Sequence, residues 1–245
     1  MFNVPAVVVA TIAALILVHL TRTFVLDPRA DMQFLLLFSF VPVRYGSDGF
    51  ASGLLPGGAG ADVWTFVTYA LIHGNAQHLL LNAVWLLAFG SPVARRFGSW
   101  RYLLFFAITA AAGAIAHLLT HAGEFWPMVG ASAAISGFMA AAARFVFQAG
   151  GPLGLLRGQD DASYGRPAAP LFVTLRDSRV VLFLAIWFGL NLLFGLGSFS
   201  LEGGELGIAW EAHIGGFLAG LLLFPLFDPV PRYSETDPQG LAARE

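Results

Sequence analysis

The chain has 245 residues, of which 57% are hydrophobic and 11% are charged. Soluble globular domains carry about 25% charged residues, so the composition excludes an ordinary soluble enzyme. The 13 basic residues are all arginines and nearly balance 15 acidic residues, which leaves no basic surface for nucleic acid. The chain has no cysteine, and this excludes disulfides, thiolate metal sites and a cysteine nucleophile.

Six apolar segments predict a membrane protein. A helix needs about 20 mostly apolar residues to cross the hydrocarbon core of a bilayer. We therefore predict an all-α fold in which residues 1–228 form a six-transmembrane-helix bundle and residues 229–245 form a polar tail. A seventh apolar run, residues 34–43, is too short to span and is predicted to be interfacial. The predicted helices cover residues 4–25, 73–89, 102–119, 129–147, 180–196 and 208–227.

The distribution of arginine predicts the orientation of the bundle. With the N-terminus in the cytoplasm, ten arginines fall in the inner loops and tail and three fall in the outer loops. Cytoplasmic loops hold the excess of basic residues, so we predict a cytoplasmic N-terminus, a cytoplasmic tail and a long cytoplasmic loop over residues 151–179.

In this orientation the N-terminal ends of predicted helices two, four and six share the outer leaflet. His78, Asn82, Ser132 and His213 lie about 10 Å below those ends. A lone intramembrane serine such as Ser136 is more often a packing residue. Ionisable groups in lipid are costly and are usually functional, so four polar residues at one depth on three helices indicate a site.

Spacing within helices two and four brings polar groups together. His78 and Asn82 are four residues apart and share one helix face. Ser132 follows Gly130 and Ala131 at the start of helix four, where the first backbone N–H groups lack intrahelical partners and the helix dipole favours negative charge. An oxyanion formed at Ser132 would therefore meet free donors.

Helix six carries the candidate base. His213, Gly216 and Gly220 form one stripe, and small residues allow two membrane helices to approach closely. This approach would bring His213 within reach of the Ser132 hydroxyl, a weak nucleophile that a histidine base can activate. Glu211 lies about 200° around the helix from His213, so it points away and no triad carboxylate is evident.

Three ordered motifs resemble one family. They are "IHGNAQHLLLN" at residues 72–82, "VGASAAISG" at residues 129–137 and "AHIGGFLAG" at residues 212–220. Together with the linking "GSPVARRFGSWRYLLFF", they resemble the rhomboid intramembrane serine proteases over residues 64–227. The resemblance implies a rhomboid-like six-helix bundle in a membrane, here expected to be a bacterial inner membrane.

The resemblance also implies roles for individual residues. Ser132 would be the nucleophile and His213 the general base, with His78 and Asn82 in the oxyanion hole and His73 in support. Substrates would be single-span membrane proteins cut in or near the outer leaflet, entering past helix five and under the loop at residues 198–207. No metal or organic cofactor is implied. The supporting glycines are Gly130, Gly216 and Gly220.

One departure bears on the site. The family's serine motif reads Gly-x-Ser-Gly, whereas Ala133 follows the serine here. The added methyl lies where helices four and six approach, and it could push His213 out of line with Ser132.

Three other interpretations stay open. A proteolytically inactive rhomboid-like protein could bind membrane clients through the same cleft, and Ala133 is its sequence support. A metal or haem protein is suggested by His117 and His121, one turn apart on helix three, although an interfacial pair is the simpler interpretation because Glu124 is the one carboxylate nearby in sequence. A transporter or channel would need polar residues that continue through the inner halves of the helices, and these are absent from the sequence.

Overall fold

The computed structural model describes residues 4–46, 55–148, 150–153, 161–196 and 209–231. The predicted loop at residues 198–207, the first residue of predicted helix six and residues 232–245 of the predicted tail lie outside this part of the chain. The α-helices of the described residues are α1 (Ala6–Phe24), α2 (Pro28–Phe38), α3 (Gly58–Thr68), α4 (Ala76–Trp85), α5 (Ser91–Thr120), α6 (Ser132–Ala143), α7 (Leu171–Thr174), α8 (Ser178–Leu196) and α9 (Trp210–Phe227).

Several of these helices are able to span a membrane. Three stretches are long and apolar enough, namely Ala6–Phe24, the 45 residues Ala76–Thr120 and Trp210–Phe227. Ser132–Ala143 and Ser178–Leu193 are shorter apolar helices. The prediction of an all-α membrane fold is confirmed. That the chain crosses the membrane six times and that its N-terminus is cytoplasmic stay predictions.

The predicted linker between helices two and three is mostly helical. A π-helical turn, Leu86–Gly90, joins α4 to α5, and the helix is interrupted at Gly98, which has φ 76° and ψ 166°. Glycine adopts positive φ without the steric cost of a Cβ. The chain bends at Gly98, and Tyr102, which follows the bend, lies against Gly90, where a Cβ would be 3.2 Å from the tyrosine hydroxyl.

The first half of the apolar run predicted to be interfacial, residues 34–38, forms the end of an 11-residue helix, α2, and the rest of the run follows this helix. The Asp27 side chain accepts hydrogen bonds from the backbone N–H groups of Arg29 and Ala30 and caps this helix. The following segment is held by Arg44, which is 3% exposed and donates to the carbonyl oxygens of Leu36 and Pro56. A helix of this length is too short to cross a bilayer.

Helix α6 forms the centre of the bundle. Every residue from Ala133 to Ala143 is buried, and the helix packs against α5 and α9. Lipid tails are as apolar as these side chains, so membrane helices associate mainly through close packing. Alanine and glycine dominate α6, which lets its neighbours approach its backbone.

A buried ion pair between Arg96 and Asp228 lies at the end of the bundle opposite His213. Arg96 donates to both carboxylate oxygens of Asp228 at 2.9 and 2.8 Å. It also donates to the carbonyl oxygens of Tyr164 and Arg166. The guanidinium group therefore ties α5 to the end of α9 and to the segment before α7.

Candidate active site

The side chains of Ser132 and His213 lie together. Ser132 is the first residue of α6, His213 is in the first turn of α9, and Ser132 Oγ is 2.7 Å from His213 Nε2. Both residues are partly buried. This distance is that of a strong hydrogen bond, so the serine proton has an acceptor in place.

Close helix packing produces this distance. A Cβ at Gly216 would overlap the carbonyl oxygen of Ala133, and a Cβ at Gly220 would overlap that of Gly137. The backbones of α6 and α9 therefore touch along the face that carries His213. The two glycines are needed for the contact, since any side chain would separate the helices.

The methyl group of Ala133 does not displace His213. A Cβ at Gly113 of α5 would lie 2.5 Å from the Ala133 Cβ, so the methyl points into the space that Gly113 leaves free. Ala133 is 1% exposed, and the distance between Ser132 and His213 stays at 2.7 Å. The methyl is thus accommodated by α5 and not at the interface with α9.

Asn191 of α8 orients the histidine, and this contact was not predicted from the sequence. The Asn191 Nδ2 donates to the carbonyl oxygen of Trp187 at 2.8 Å, which turns Oδ1 toward His213 Nδ1 at 2.6 Å. An amide oxygen only accepts, so His213 carries its proton on Nδ1 and presents a lone pair from Nε2 to Ser132. The signal in the sequence was one amide in an otherwise apolar segment.

His78 lies beside the serine. A Cβ at Gly130, whose φ is 121°, would be 2.7 Å from the His78 Nε2 and 3.7 Å from Ser132 Oγ. The Asn75 side chain caps α4 by accepting from the His78 backbone N–H. Gly130 therefore leaves room for the imidazole next to the hydroxyl.

Asn82 and His73 both contact His78. Asn82 is buried one turn later on α4, and its Nδ2 donates to the His78 carbonyl oxygen at 2.9 Å. His73 is fully buried, and its ring meets the His78 ring edge-on with centroids 5.0 Å apart. The His73 carbonyl oxygen accepts from Arg22, so α1 supports this segment.

Two further polar residues near the site, Ser136 and Glu211, have hydrogen-bond partners of their own. The Ser136 hydroxyl donates to the Ser132 carbonyl oxygen of its own helix at 2.8 Å, which agrees with the packing interpretation. The Glu211 carboxylate turns away from His213. It contacts His117 of α5 at 2.7 Å and His121, the residue after α5, at 3.3 Å. The contact between Glu211 and these histidines was not predicted from the sequence. Among the described residues, these three form the group that could hold a metal ion.

Comparison with known proteins identifies the family. The model of the Rhomboid domain matches residues 60–228, which is more than half of the chain. The chain belongs to the rhomboid family. The resemblance drawn from the three motifs is thereby confirmed, and the protein is an integral multi-pass membrane protein of a family that acts on transmembrane substrates within the bilayer.

Two relatives show how far the similarity extends. Rhomboid protease GlpG of Haemophilus influenzae is 25% identical over 79 residues, which are 32% of this chain and 41% of that protein. RHOMBOID-like protein 4 of Arabidopsis thaliana is 29% identical over 164 residues, which are 67% of this chain and 34% of that protein. The matched regions span less than half of either relative.

Proposed function

We propose that this rhomboid is an intramembrane serine endopeptidase that cuts single-span membrane proteins in or near the outer leaflet. The observation that carries the proposal is the hydrogen-bonded series from Ser132 through His213 to Asn191. A serine hydroxyl needs a base within about 3 Å, and the base needs a fixed tautomer. His213 Nε2 meets the first requirement at 2.7 Å from Ser132 Oγ, and Asn191 Oδ1 meets the second at 2.6 Å from His213 Nδ1.

The proposed reaction proceeds in two stages. His213 Nε2 takes the Ser132 proton as Oγ bonds to the scissile carbonyl carbon. The resulting imidazolium gives that proton to the leaving amine nitrogen as the peptide bond breaks, leaving an ester on Ser132. A water molecule, deprotonated by His213, then attacks the ester carbon. The imidazolium returns that proton to Ser132 Oγ as the ester bond breaks and the new carboxyl end is released. Asn191 accepts from Nδ1–H throughout and stabilises the imidazolium.

The negative charge of the oxyanion would be stabilised by hydrogen-bond donors on the side of Ser132 where His78 lies. We assign this role to His78, to the second N–H of the Asn82 amide and to the backbone N–H of Ser132, with His73 holding His78 in place. The first backbone N–H groups of a helix have no intrahelical acceptor, and preorganised donors of this kind are worth roughly 10²–10³ in rate each. This chemistry uses no metal or organic cofactor.

Substrates are proposed to enter past α8. This helix packs on α9 through Trp187, whose ring stacks on that of Phe217 at 4.6 Å. Its apolar residues Leu182, Ile186 and Leu190 are exposed and would face lipid or a substrate helix. We place residues 1–228 in a bacterial inner membrane, with a cytoplasmic N-terminus and a cytoplasmic tail from residue 229.

The test is labelling of the detergent-solubilised full-length protein with a fluorophosphonate probe, which reports an activated serine. Wild type and Ser136→Ala are expected to label, whereas Ser132→Ala and His213→Ala are expected not to label. Ser136 is a matched control because it is a serine of the same helix. Thermal unfolding of each sample verifies the fold. A folded wild type that fails to label would contradict the proposal and support the inactive client-binding interpretation.

A further inference from the structure

A second cluster of ionisable side chains lies apart from Ser132. His117 and His121 are at the C-terminal end of α5, and Glu211 is in the first turn of α9. The His117 side chain is fully buried, that of Glu211 is 8% exposed and that of His121 is 22% exposed. One nitrogen of each histidine and one carboxylate oxygen lie within 4.8 Å of one another. The proposed proteolysis uses none of these three side chains.

The hydrogen bonds of His117 leave its Nδ1 facing the carboxylate. Its Nε2 is 3.5 Å from the carbonyl oxygen of Trp126, and its Nδ1 is 2.7 Å from Glu211 Oε1. A neutral imidazole has one N–H, and the tautomer with the proton on Nε2 donates to the Trp126 carbonyl oxygen. In that tautomer the Nδ1 lone pair is free to bind a metal ion beside the carboxylate, whereas in the other tautomer Nδ1–H donates to Glu211.

His121 turns the same nitrogen toward this carboxylate. Its Nδ1 is 3.3 Å from Glu211 Oε1, and it also lies 2.9 Å from the hydroxyl of Thr120. The Thr120 hydroxyl is within reach of the carbonyl oxygens of Ala116 and His117 as a donor. The imidazole rings of His117 and His121 stack at 4.5 Å, and both Nδ1 atoms approach the same carboxylate oxygen.

We propose that His117, His121 and Glu211 bind one divalent transition-metal ion of the zinc class. Two imidazole nitrogens and a carboxylate oxygen are common ligands of Zn²⁺ at about 2.0–2.2 Å, a geometry that separates neighbouring ligand atoms by about 3.3 Å. The 3.3 Å between His121 and Glu211 meets this spacing, and the 2.7 Å between His117 and Glu211 must open slightly. The hydrogen bond from His117 to the Trp126 carbonyl supplies the outer-shell contact that metal-bound histidines usually make. Water would complete the shell from the exposed side of His121.

The proposed ion would connect α5 to α9. Glu211 lies two residues before His213 on α9, His117 lies in the last turn of α5, and His121 is the residue that follows this helix. A bound ion would therefore fix the first turn of α9 against α5. A ligand that binds only the folded state raises the unfolding temperature, so occupancy has a readout that does not depend on proteolysis.

The experiment uses the full-length protein in detergent with the Ser132→Ala substitution, so that failure of the proposed proteolysis cannot affect it. After treatment with a chelator, the protein is titrated with Zn²⁺ by calorimetry and its thermal unfolding is followed. We expect one ion per chain and an unfolding temperature that rises by a few degrees. His121→Ala should weaken binding at least about tenfold, and because His121 is the most exposed of the three it is the variant best able to fold. Glu211→Gln should have the same effect.

Two matched controls locate the ion. Glu124→Gln removes a nearby exposed carboxylate outside the cluster, and His213→Ala removes the other histidine of α9. Both are expected to retain binding. Binding that survives His121→Ala and Glu211→Gln would overturn the proposal, as would binding that is lost in His213→Ala. Failure of the chelator-treated protein to take up stoichiometric Zn²⁺ would also overturn it.

Discussion

Ala133 and Gly113 are complementary across the contact between α6 and α5. The methyl of Ala133 occupies the space where a Cβ at Gly113 would lie, 2.5 Å from it. The residue after the serine can therefore be larger than glycine without moving His213, because α5 and not α9 adapts. The serine motif alone makes Ala133 unfavourable for activity, but Gly113 leaves room for the Ala133 methyl.

The Gly113→Ala substitution is expected to lower the free energy of unfolding by about 1–3 kcal/mol. The added methyl meets Ala133 Cβ, and it also lies 2.9 Å from the Ala212 carbonyl oxygen. Adding Ala133→Gly should restore part of the loss, and a double-mutant cycle of thermal unfolding measures the coupling. Equal effects of Gly113→Ala in the two backgrounds would refute the complementarity.

The Gly216→Ala substitution is expected to lower the unfolding temperature and to abolish fluorophosphonate labelling. The new methyl would overlap the Ala133 carbonyl oxygen and force α9 away from α6, so His213 would no longer reach Ser132. Gly189→Ala on α8 is the control, because a Cβ there meets no described atom within 4 Å. Normal labelling of Gly216→Ala would show that the glycine contact is not required.

The Asn191→Ala substitution is expected to slow labelling roughly 10- to 150-fold while Ser132 stays in place. The bond from His213 Nδ1–H to Asn191 becomes a bond from a charged group in the reaction, worth about 1.5–3 kcal/mol, and each 1.36 kcal/mol is a factor of ten in rate. The labelling rate as a function of pH measures the effect, since loss of the acceptor also changes how readily His213 takes a proton. A rate within twofold of the Gly189→Ala control would exclude an orienting role for Asn191.

The Gly130→Ala substitution is expected to abolish fluorophosphonate labelling, whereas the free energy of unfolding falls only in part. The residue has φ 121°, and its new Cβ would lie 2.7 Å from the His78 ring, so the imidazole must leave the vicinity of Ser132. Gly74→Ala in the segment before α4 is the matched control, since a Cβ at Gly74 contacts none of the described atoms within 4 Å. Labelling by both variants at the wild-type rate would remove His78 from the proposed oxyanion hole.

The Arg96→Ala substitution is expected to cost about 3–5 kcal/mol of stability, because it leaves the Asp228 carboxylate buried without its partner. Arg96→Lys should restore little, since an ammonium group cannot replace the bidentate contact and the two carbonyl contacts together. Asp228 lies 15 residues from His213, about 22 Å along the helix, so the folded fraction should still label. The exposed Arg101 provides the control variant, Arg101→Ala. Wild-type stability of Arg96→Ala would show that the ion pair is not needed.

The local pattern of the chain predicted features that depend on one helix or on small side chains. The apolar segments indicated the helices, and the stripe of His213, Gly216 and Gly220 indicated a close contact with another helix. Small residues are informative because they permit contact whichever residue lies opposite.

Features that depend on a specific partner could not be predicted in this way. Asn191 is 22 residues from His213, and the period of α8 does not show which neighbour its amide faces. His117 and Glu211 are 94 residues apart, so the sequence pattern gave no sign of their contact. The sequence predicts a linker between helices two and three, and it does not show that this stretch is helical with a bend at Gly98, because a glycine does not reveal its φ angle.

The most direct test of the central proposal is to locate the site of modification. Wild-type protein labelled with the fluorophosphonate is digested and its peptides are sequenced by mass spectrometry. The proposal predicts the adduct on Ser132, with Ser136 of the same peptide unmodified. An adduct on any other serine, or its persistence in the His213→Ala variant, would contradict the assignment of Ser132 and His213 as nucleophile and base.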